Sequence, residues 1–229
     1  MYVAQHFGYS AEQLGAMLSR VRVADLVTVG PDGPEATLVP WTFHPDEGEH
    51  GVLHAHLSRV NRQWHQVGPA LVVLHGPDSY VDPSDVPEPA AVPTWDYITM
   101  HVRGRMIAHD DPEWVQMAMA EMVAAQHSGF DFRELPTRML DGLVRSAVGV
   151  EIVIESVTGK AKMSQNQSSG NILGIADALA DRAADPAKNF QGTAPDEVVE
   201  FLRTESLAHA RAREALVDDA REAHEAGAE

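Results

Sequence analysis

Seven consecutive residues, Arg59-Val-Asn-Arg-Gln-Trp-His65, put two guanidinium groups, an indole and an imidazole on one short segment. A protonated arginine or lysine cannot ligate iron, whereas a neutral imidazole offers a lone pair and can. A second segment, Lys160-Ala-Lys-Met-Ser-Gln-Asn166, carries two of the chain's three lysines in a protein of formal net charge −17. A cationic pair beside Ser164, Gln165 and Asn166 suits an anionic group such as a phosphate or propionate. The competing reading is a strand end with ordinary solvated lysines. A third segment, Val92-Pro-Thr-Trp-Asp-Tyr97, adds two aromatic rings. Trp64, Trp95 and Tyr97 can line a flat ligand or simply fill core or interface volume. His54 and His56 point to one face of a strand and could be a metal pair, but a facial site needs a carboxylate or third ligand as well. His101, close to Arg103, reads as structural or pocket-lining. No Ser, His and Asp constellation stands out, so hydrolase chemistry has no positive support.

Together the three segments resemble the PaiB-like family of FMN-binding split-barrel proteins, over approximately residues 1 to 183. That family usually has asparagine, proline, a polar or basic residue, tryptophan and then arginine or lysine, where this chain reads Asn61, Arg62, Gln63, Trp64, His65. The resemblance implies a homodimer that holds a flat cofactor at the subunit interface. It places Arg59, Asn61, Trp64, Trp95, Tyr97, Lys162, Gln165 and Asn166 near that cofactor. Three departures leave room for a planar cofactor other than FMN. Gln167 stands where the family often has arginine, Tyr80-Val-Asp-Pro-Ser-Asp85 lacks a common aromatic pair, and His65 replaces a basic residue.

With those departures the chain is most similar to the piperazate synthases, haem-dependent relatives of PaiB that convert N5-hydroxy-L-ornithine to L-piperazate. That likeness implies haem b, with His65 as the axial ligand. It makes Lys162 and Arg59 the candidate catalytic residues, and has Lys160, Lys162 or Arg59 pair with the haem propionates or the carboxylate of the amino-acid substrate. The alternative is an FMN-binding PaiB-like protein with a regulatory or flavin-linked role.

The surrounding pattern predicts an α+β fold, a split β-barrel with peripheral helices and a C-terminal helical tail. Ser10 followed by Gln13 is a capping-box pattern, and Leu14, Met17, Leu18 and Val21 follow at helical spacing. Residues 25–29 and 36–39 flank Gly30-Pro-Asp-Gly33 as strand, turn and strand. Residues 51–57 and 70–75 supply two more strands, with a short helix near Asn61 between them. Residues 77–93 hold five prolines and are expected to be mostly loop. Residues 97–108 resume β-structure, and Asp111-Pro-Glu113 starts a helix whose Met119, Met122 and Val123 face the core. A further helix is expected over 136–148 and a last strand over 150–157. Residues 1–183 are read as the cofactor-binding domain, and 184–229 as a linker plus a charged helix, solvated or supporting a dimer.

Composition sets the outer bounds. No run approaches the roughly 18 apolar residues of a membrane span, and Met1-Tyr-Val-Ala-Gln-His-Phe7 lacks the regions of a signal peptide. A cytoplasmic location is the expectation. The chain has no cysteine, which excludes disulfides and thiolate ligation and leaves histidine as the foremost transition-metal ligand. Its acidity opposes nucleic-acid binding, because phosphates select for basic surfaces.

Overall fold

Ser10 and Gln13 form the capping box that opens α1 (Ala11–Ser19), each side chain bonded to the other's backbone N–H. Leu18 enters the core and Leu14 and Met17 pack against it, while Val21 lies outside the described residues. This computed structural model describes residues 1–20, 22–87, 92–126, 129–188 and 190–226. After α1 come β1 (Val23–Gly30) and β2 (Gly33–Pro40), paired antiparallel from Val23↔Pro40 to Gly30↔Gly33 across the two-residue turn Pro31-Asp32. β3 (Thr42–His44) and β4 (Val52–Ser58) form a second antiparallel pair, and a short 3-10 turn at Arg62–His65 leads into β5 (Gly68–Val81). β6 (Thr94–His109), α2 (Pro112–Ala124), α3 (Thr137–Arg145) and β7 (Ala147–Lys162) follow. The chain continues through α4 (Ser169–Ala184), β8 (Gly192–Thr193), α5 (Pro195–Phe201), a π turn at Leu202–Ser206 and α6 (Leu207–Ala226).

The strands form one sheet in the order β2-β1-β5-β6-β7-β4-β3, with β8 on β5. The chain groups into two units, and the boundaries fall inside β5, β6 and β7. Unit 1 contains Tyr9–His75 and Met100–Gly159. Alternate strand residues turn inward there, as the two-residue period of a strand requires. Leu26, Leu53, Val72, Met100 and Ile152 form its centre. A smaller cluster of Val115, Met119, Phe132 and Val144 joins α2 to α3, with Val123 packed against it. Unit 2 contains Tyr2–Gly8, Gly76–Thr99 and Lys160–Glu229, and α4 packs there against α5 and α6.

Three expectations need correction. Residues 77–81 are strand, not loop: Asp78 pairs with Thr193 and Ser79 with Gly192, so a partner more than a hundred residues away overrides the proline signal. The remaining part holds a 3-10 turn at Pro83–Asp85 capped by Asp82, and residues 88–91 lie outside the described set. The stretch expected as linker supplies that partner, and Gly192 is needed there because a Cβ would come within 2.1 Å of the Asp78 carbonyl oxygen. The C-terminal helical stretch is not solvated throughout: Val198, Leu202, Leu207 and Ala210 are buried.

Candidate functional site

In unit 1 the polar groups of the Arg59–His65 segment mostly build the turn itself. Asn61 caps it, accepting from Gln63 N at 2.9 Å, and its amide donates to Thr37 Oγ1 at 3.0 Å. Gln63 is fully buried and its Nε2 reaches the carbonyl of Leu26 at 3.0 Å, Thr28 Oγ1 at 3.0 Å and the carbonyl of Glu35 at 3.2 Å. Arg59 donates to Asp110 at 2.6 Å and to the carbonyls of Arg145 and Ala147 at 2.9 Å each. These bonds occupy its guanidinium as a clamp between β4 and the start of β7. The Trp64 indole donates to the Arg59 carbonyl at 3.1 Å. His65 is exposed, with its ring 3.5 Å from that of Trp64 between centroids and tilted by 31°. Among the described residues no carboxylate lies within ion-pair reach of it, in contrast to His75, which faces Asp25 at 3.0 Å.

In unit 2 the second segment closes β7 and turns into α4. Lys162 Nζ donates to Thr94 Oγ1 and to the Trp95 carbonyl, both at 2.6 Å, and lies 3.7 Å from Asp96 Oδ1. Asp96 is fully buried. Burial pushes its carboxyl up to about 6, against the opposing pull of the Ser164 hydroxyl, which donates to it at 2.7 Å, and of Lys162. Its other oxygen, Oδ1, has no hydrogen-bond partner. Ser164 takes a left-handed backbone, φ 56°, a conformation that costs a non-glycine residue about 1 kcal/mol or more. Gln165 is turned inward, donating to the Ala161 carbonyl and accepting from Met163 N, both at 2.7 Å. Asn166 is exposed. Lys160 Nζ stands 5.2 Å over the Tyr97 ring, within cation–π range. Trp95, 42% exposed, donates to Asp78 at 3.1 Å. From α6, Arg213 donates to the carbonyls of Gln165 and Gln167, so the C-terminal stretch holds this loop.

The ten residues singled out by sequence thus fall into two sets. Arg59, Asn61, Trp64 and His65 share the turn in unit 1, and Trp95, Tyr97, Lys160, Lys162, Gln165 and Asn166 gather in unit 2. Asp96 was not singled out, although it sits between Trp95 and Tyr97. Its signal was chemical, a lone carboxylate in a segment of apolar and aromatic residues. His54 is 4% exposed and faces Glu121 and His44, not His56. His56 is half-buried opposite Gly149, and burial lowers its pKa. His101 keeps one ring nitrogen buried without a partner, and its pKa is also lowered, first by burial.

Comparison with known proteins matches residues 1–156 to the family described as a "Putative FMN-binding domain". The chain is 23% identical over 205 residues to the protease synthase and sporulation protein PAI 2 of Bacillus subtilis, covering 86% of this chain and 98% of that protein. Among solved structures it resembles the flavocytochrome Anf3 of Azotobacter vinelandii with a TM-score of 0.54 at 14% identity, over 70% of this chain and 72% of that one. A conserved hypothetical protein of Mycobacterium tuberculosis gives a TM-score of 0.50, also at 14% identity, over 71% and 91%. At these identities the structural likeness shows the fold, an antiparallel sheet with helices of the split-barrel type.

Proposed function

Because the chain belongs to the PaiB-like family of FMN-binding split-barrel proteins, we propose that it binds a planar cofactor, haem b, and closes N5-hydroxy-L-ornithine into L-piperazate. One observation carries the choice of haem: His65 is an exposed imidazole, packed at a tilt against Trp64, at the end of a turn fixed by the buried Gln63. That arrangement fits an iron ligand, because the ring is oriented by packing while its nitrogens stay outside the hydrogen bonds that build the turn. Cations for a flavin phosphate are fewer than the family pattern provides. Arg59 is engaged by Asp110 and two carbonyls, and position 167 is a neutral glutamine. The fold-level support is that the Azotobacter neighbour is described as a flavocytochrome.

When bound, haem would be held through the His65 imidazole and would supply a Lewis-acidic iron for the hydroxylamine oxygen. The α-amine lone pair forms the N–N bond as the N–O bond breaks, and the hydroxyl leaves as water with a proton from the amine. No external oxidant or reductant is needed, since the N–O bond already holds the oxidising equivalent. Lys160 and Lys162 offer the ammonium groups for an anionic partner, a propionate or the substrate carboxylate. Lys162 is held in place by Thr94 and the Trp95 carbonyl, and the proton on Asp96 decides how strongly that corner of unit 2 is cationic. The proposal includes a cytoplasmic homodimer. Among the described residues no helix is long and apolar enough to cross a membrane.

The test has two parts. The purified protein should show a Soret band that His65→Ala shifts or abolishes, while the oligomeric state is retained. Haem-loaded protein, incubated anaerobically with N5-hydroxy-L-ornithine and no nicotinamide, should yield a product that matches a piperazate standard by mass spectrometry. A yellow flavin spectrum with no turnover would establish the second reading, an FMN-binding protein with a regulatory or flavin-linked role, which the family description favours.

A further inference from the structure

His44 and His54 stand on neighbouring strands of unit 1, where Thr42 pairs with His54 and Val52 with His44. Residues two apart on a strand share a face, so the two histidines are diagonal neighbours on one face of the β3–β4 pair. Their ring centroids lie 4.1 Å apart. α2 packs against both strands and brings Glu121, whose Oε2 is 3.3 Å from His44 Nε2 and 3.3 Å from His54 Nδ1. All three donor atoms fall within 4.8 Å of one another. The other nitrogens of the same rings face a second carboxylate: Glu47 Oε1 is 3.4 Å from His44 Nδ1, and its Oε2 is 3.9 Å from His54 Nε2.

Hydrogen bonding alone explains this poorly. A charged N–H to carboxylate bond is short, about 2.7–2.9 Å, and elsewhere on the same sheet His109 Nε2 approaches Glu151 Oε2 to 2.7 Å. Glu121 instead keeps one oxygen equally far from two imidazoles. Thr42 Oγ1, at 3.4 Å from His44 Nε2, competes only weakly for that nitrogen. Donors bound tetrahedrally at 2.0–2.1 Å from a metal stand about 3.4 Å apart. We propose that His44 Nε2, His54 Nδ1 and Glu121 Oε2 form a binding site for a divalent first-row transition cation.

The ligand set is two imidazoles and a carboxylate, with no thiolate available in a chain without cysteine, which suits Zn²⁺, Fe²⁺ or Co²⁺. Glu47 lies behind the ligands, 3.4 Å from His44 Nδ1 and 3.9 Å from His54 Nε2, and its charge favours the N–H of each ring on that side, which leaves the lone pair toward the metal. The support is rigid. Trp114, two turns before Glu121 on α2, is stacked on His109 at 4.1 Å and 7° and lies 5.0 Å from the His54 ring. Its indole occupies the space over Gly149, where a Cβ would come within 2.2 Å of it. His54 closes the inner side at 4% exposure, whereas His44 and Glu121 are 22% and 31% exposed. With three protein ligands the fourth position opens to solvent on that side and takes water.

The experiment uses the full chain, stripped with a chelator and titrated with Co²⁺ while the visible d–d bands are followed, with Zn²⁺ as competitor. One equivalent should bind. His44→Ala and Glu121→Gln should each weaken binding more than about 100-fold, and Glu47→Gln about tenfold, as loss of an orienting partner does. His65→Ala should leave the cobalt spectrum unchanged, which separates this site from the haem reading whichever planar cofactor the protein holds. Glu121→Gln preserves the shape of the side chain, so circular dichroism should be unaltered and it decides the matter even if His44→Ala fails to fold. Absence of saturable binding to the wild type, or equal binding by wild type and both ligand variants, overturns the proposal.

Discussion

The turn at Arg59–His65 and the loop at Lys160–Asn166 are built from the same parts and wired differently. Each has a buried glutamine turned inward, Gln63 in one and Gln165 in the other. In each, a cation lies beside a carboxylate and donates to backbone, Arg59 to two carbonyls and Lys162 to one, and the last residue is left exposed, His65 and Asn166. Gln63 bonds to Leu26, Thr28 and Glu35, residues 28 to 37 positions away, and so fastens the turn to the β1–β2 hairpin. Gln165 bonds to Ala161 and Met163, its own loop. The charged pairs differ in the opposite sense, since Asp110 is 63% exposed and Asp96 1%. One region draws its order from distant backbone and carries a solvated ion pair; the other is ordered locally around a buried carboxylate.

The sharpest way to break this contrast is to remove both glutamines. Gln63→Ala strips donors from two carbonyls and a hydroxyl and opens a hole at a fully buried position, and should cost about 3 kcal/mol. The loss stays near that figure because Gln63 Oε1 already lacks a partner. Gln165→Ala leaves one local N–H and one local carbonyl to find new partners, and should cost about 1.5 kcal/mol. Urea unfolding midpoints at constant slope measure both, and a larger loss for Gln165→Ala would refute the assignment of long-range order to the first turn.

A pH-dependent effect follows from Asp96. Its folded-state pKa of about 6 lies above the ordinary 3.8. As pH rises the unfolded chain therefore ionises first. The stabilising contribution is complete below about pH 4 and is lost as pH rises through about 6, on the order of 3 kcal/mol. Asp96→Asn cannot ionise, so its stability relative to wild type should climb over that window and level off above it. A constant difference from pH 4 to 7 would mean that burial does not govern this carboxyl.

The same contrast explains what was legible in the sequence. Local devices could be read: the Ser10 and Gln13 capping box, the Pro31-Asp32 turn, the helix start at Asp111-Pro112 and the short helix near Asn61 all depend on residues within four positions. Long-range pairings could not. The extension of β5 past Pro77 needs Gly192 and Thr193, and the burial of Val198 and Leu202 needs the packing of α5 on α4. His65 stood out because its neighbours in the sequence are its neighbours in space. Glu121 is 77 positions from His44 and 67 from His54, so only the strand register and α2 bring the three together.

The smallest effect should come from Asp110, and it isolates what the exposed pair contributes. Asp110→Asn keeps an oxygen that can accept from Arg59 and removes only the charge, while Arg59 retains the carbonyls of Arg145 and Ala147. Asp111, the side chain that caps α2, is untouched. The hydrogen bond to Asp110 holds the Arg59 pKa up, and that to Arg59 holds the Asp110 pKa down, yet both groups face water, where screening and side-chain entropy cancel most of an ion pair's gain. The unfolding midpoint of Asp110→Asn should match wild type within the scatter of the measurement, at low and at high salt alike. A loss that appears at low salt and vanishes at high salt would show that the clamp at Arg59 works by charge. The two regions would then share an electrostatic origin, and the distinction between a turn held by distant backbone and a loop built round a carboxylate would fail.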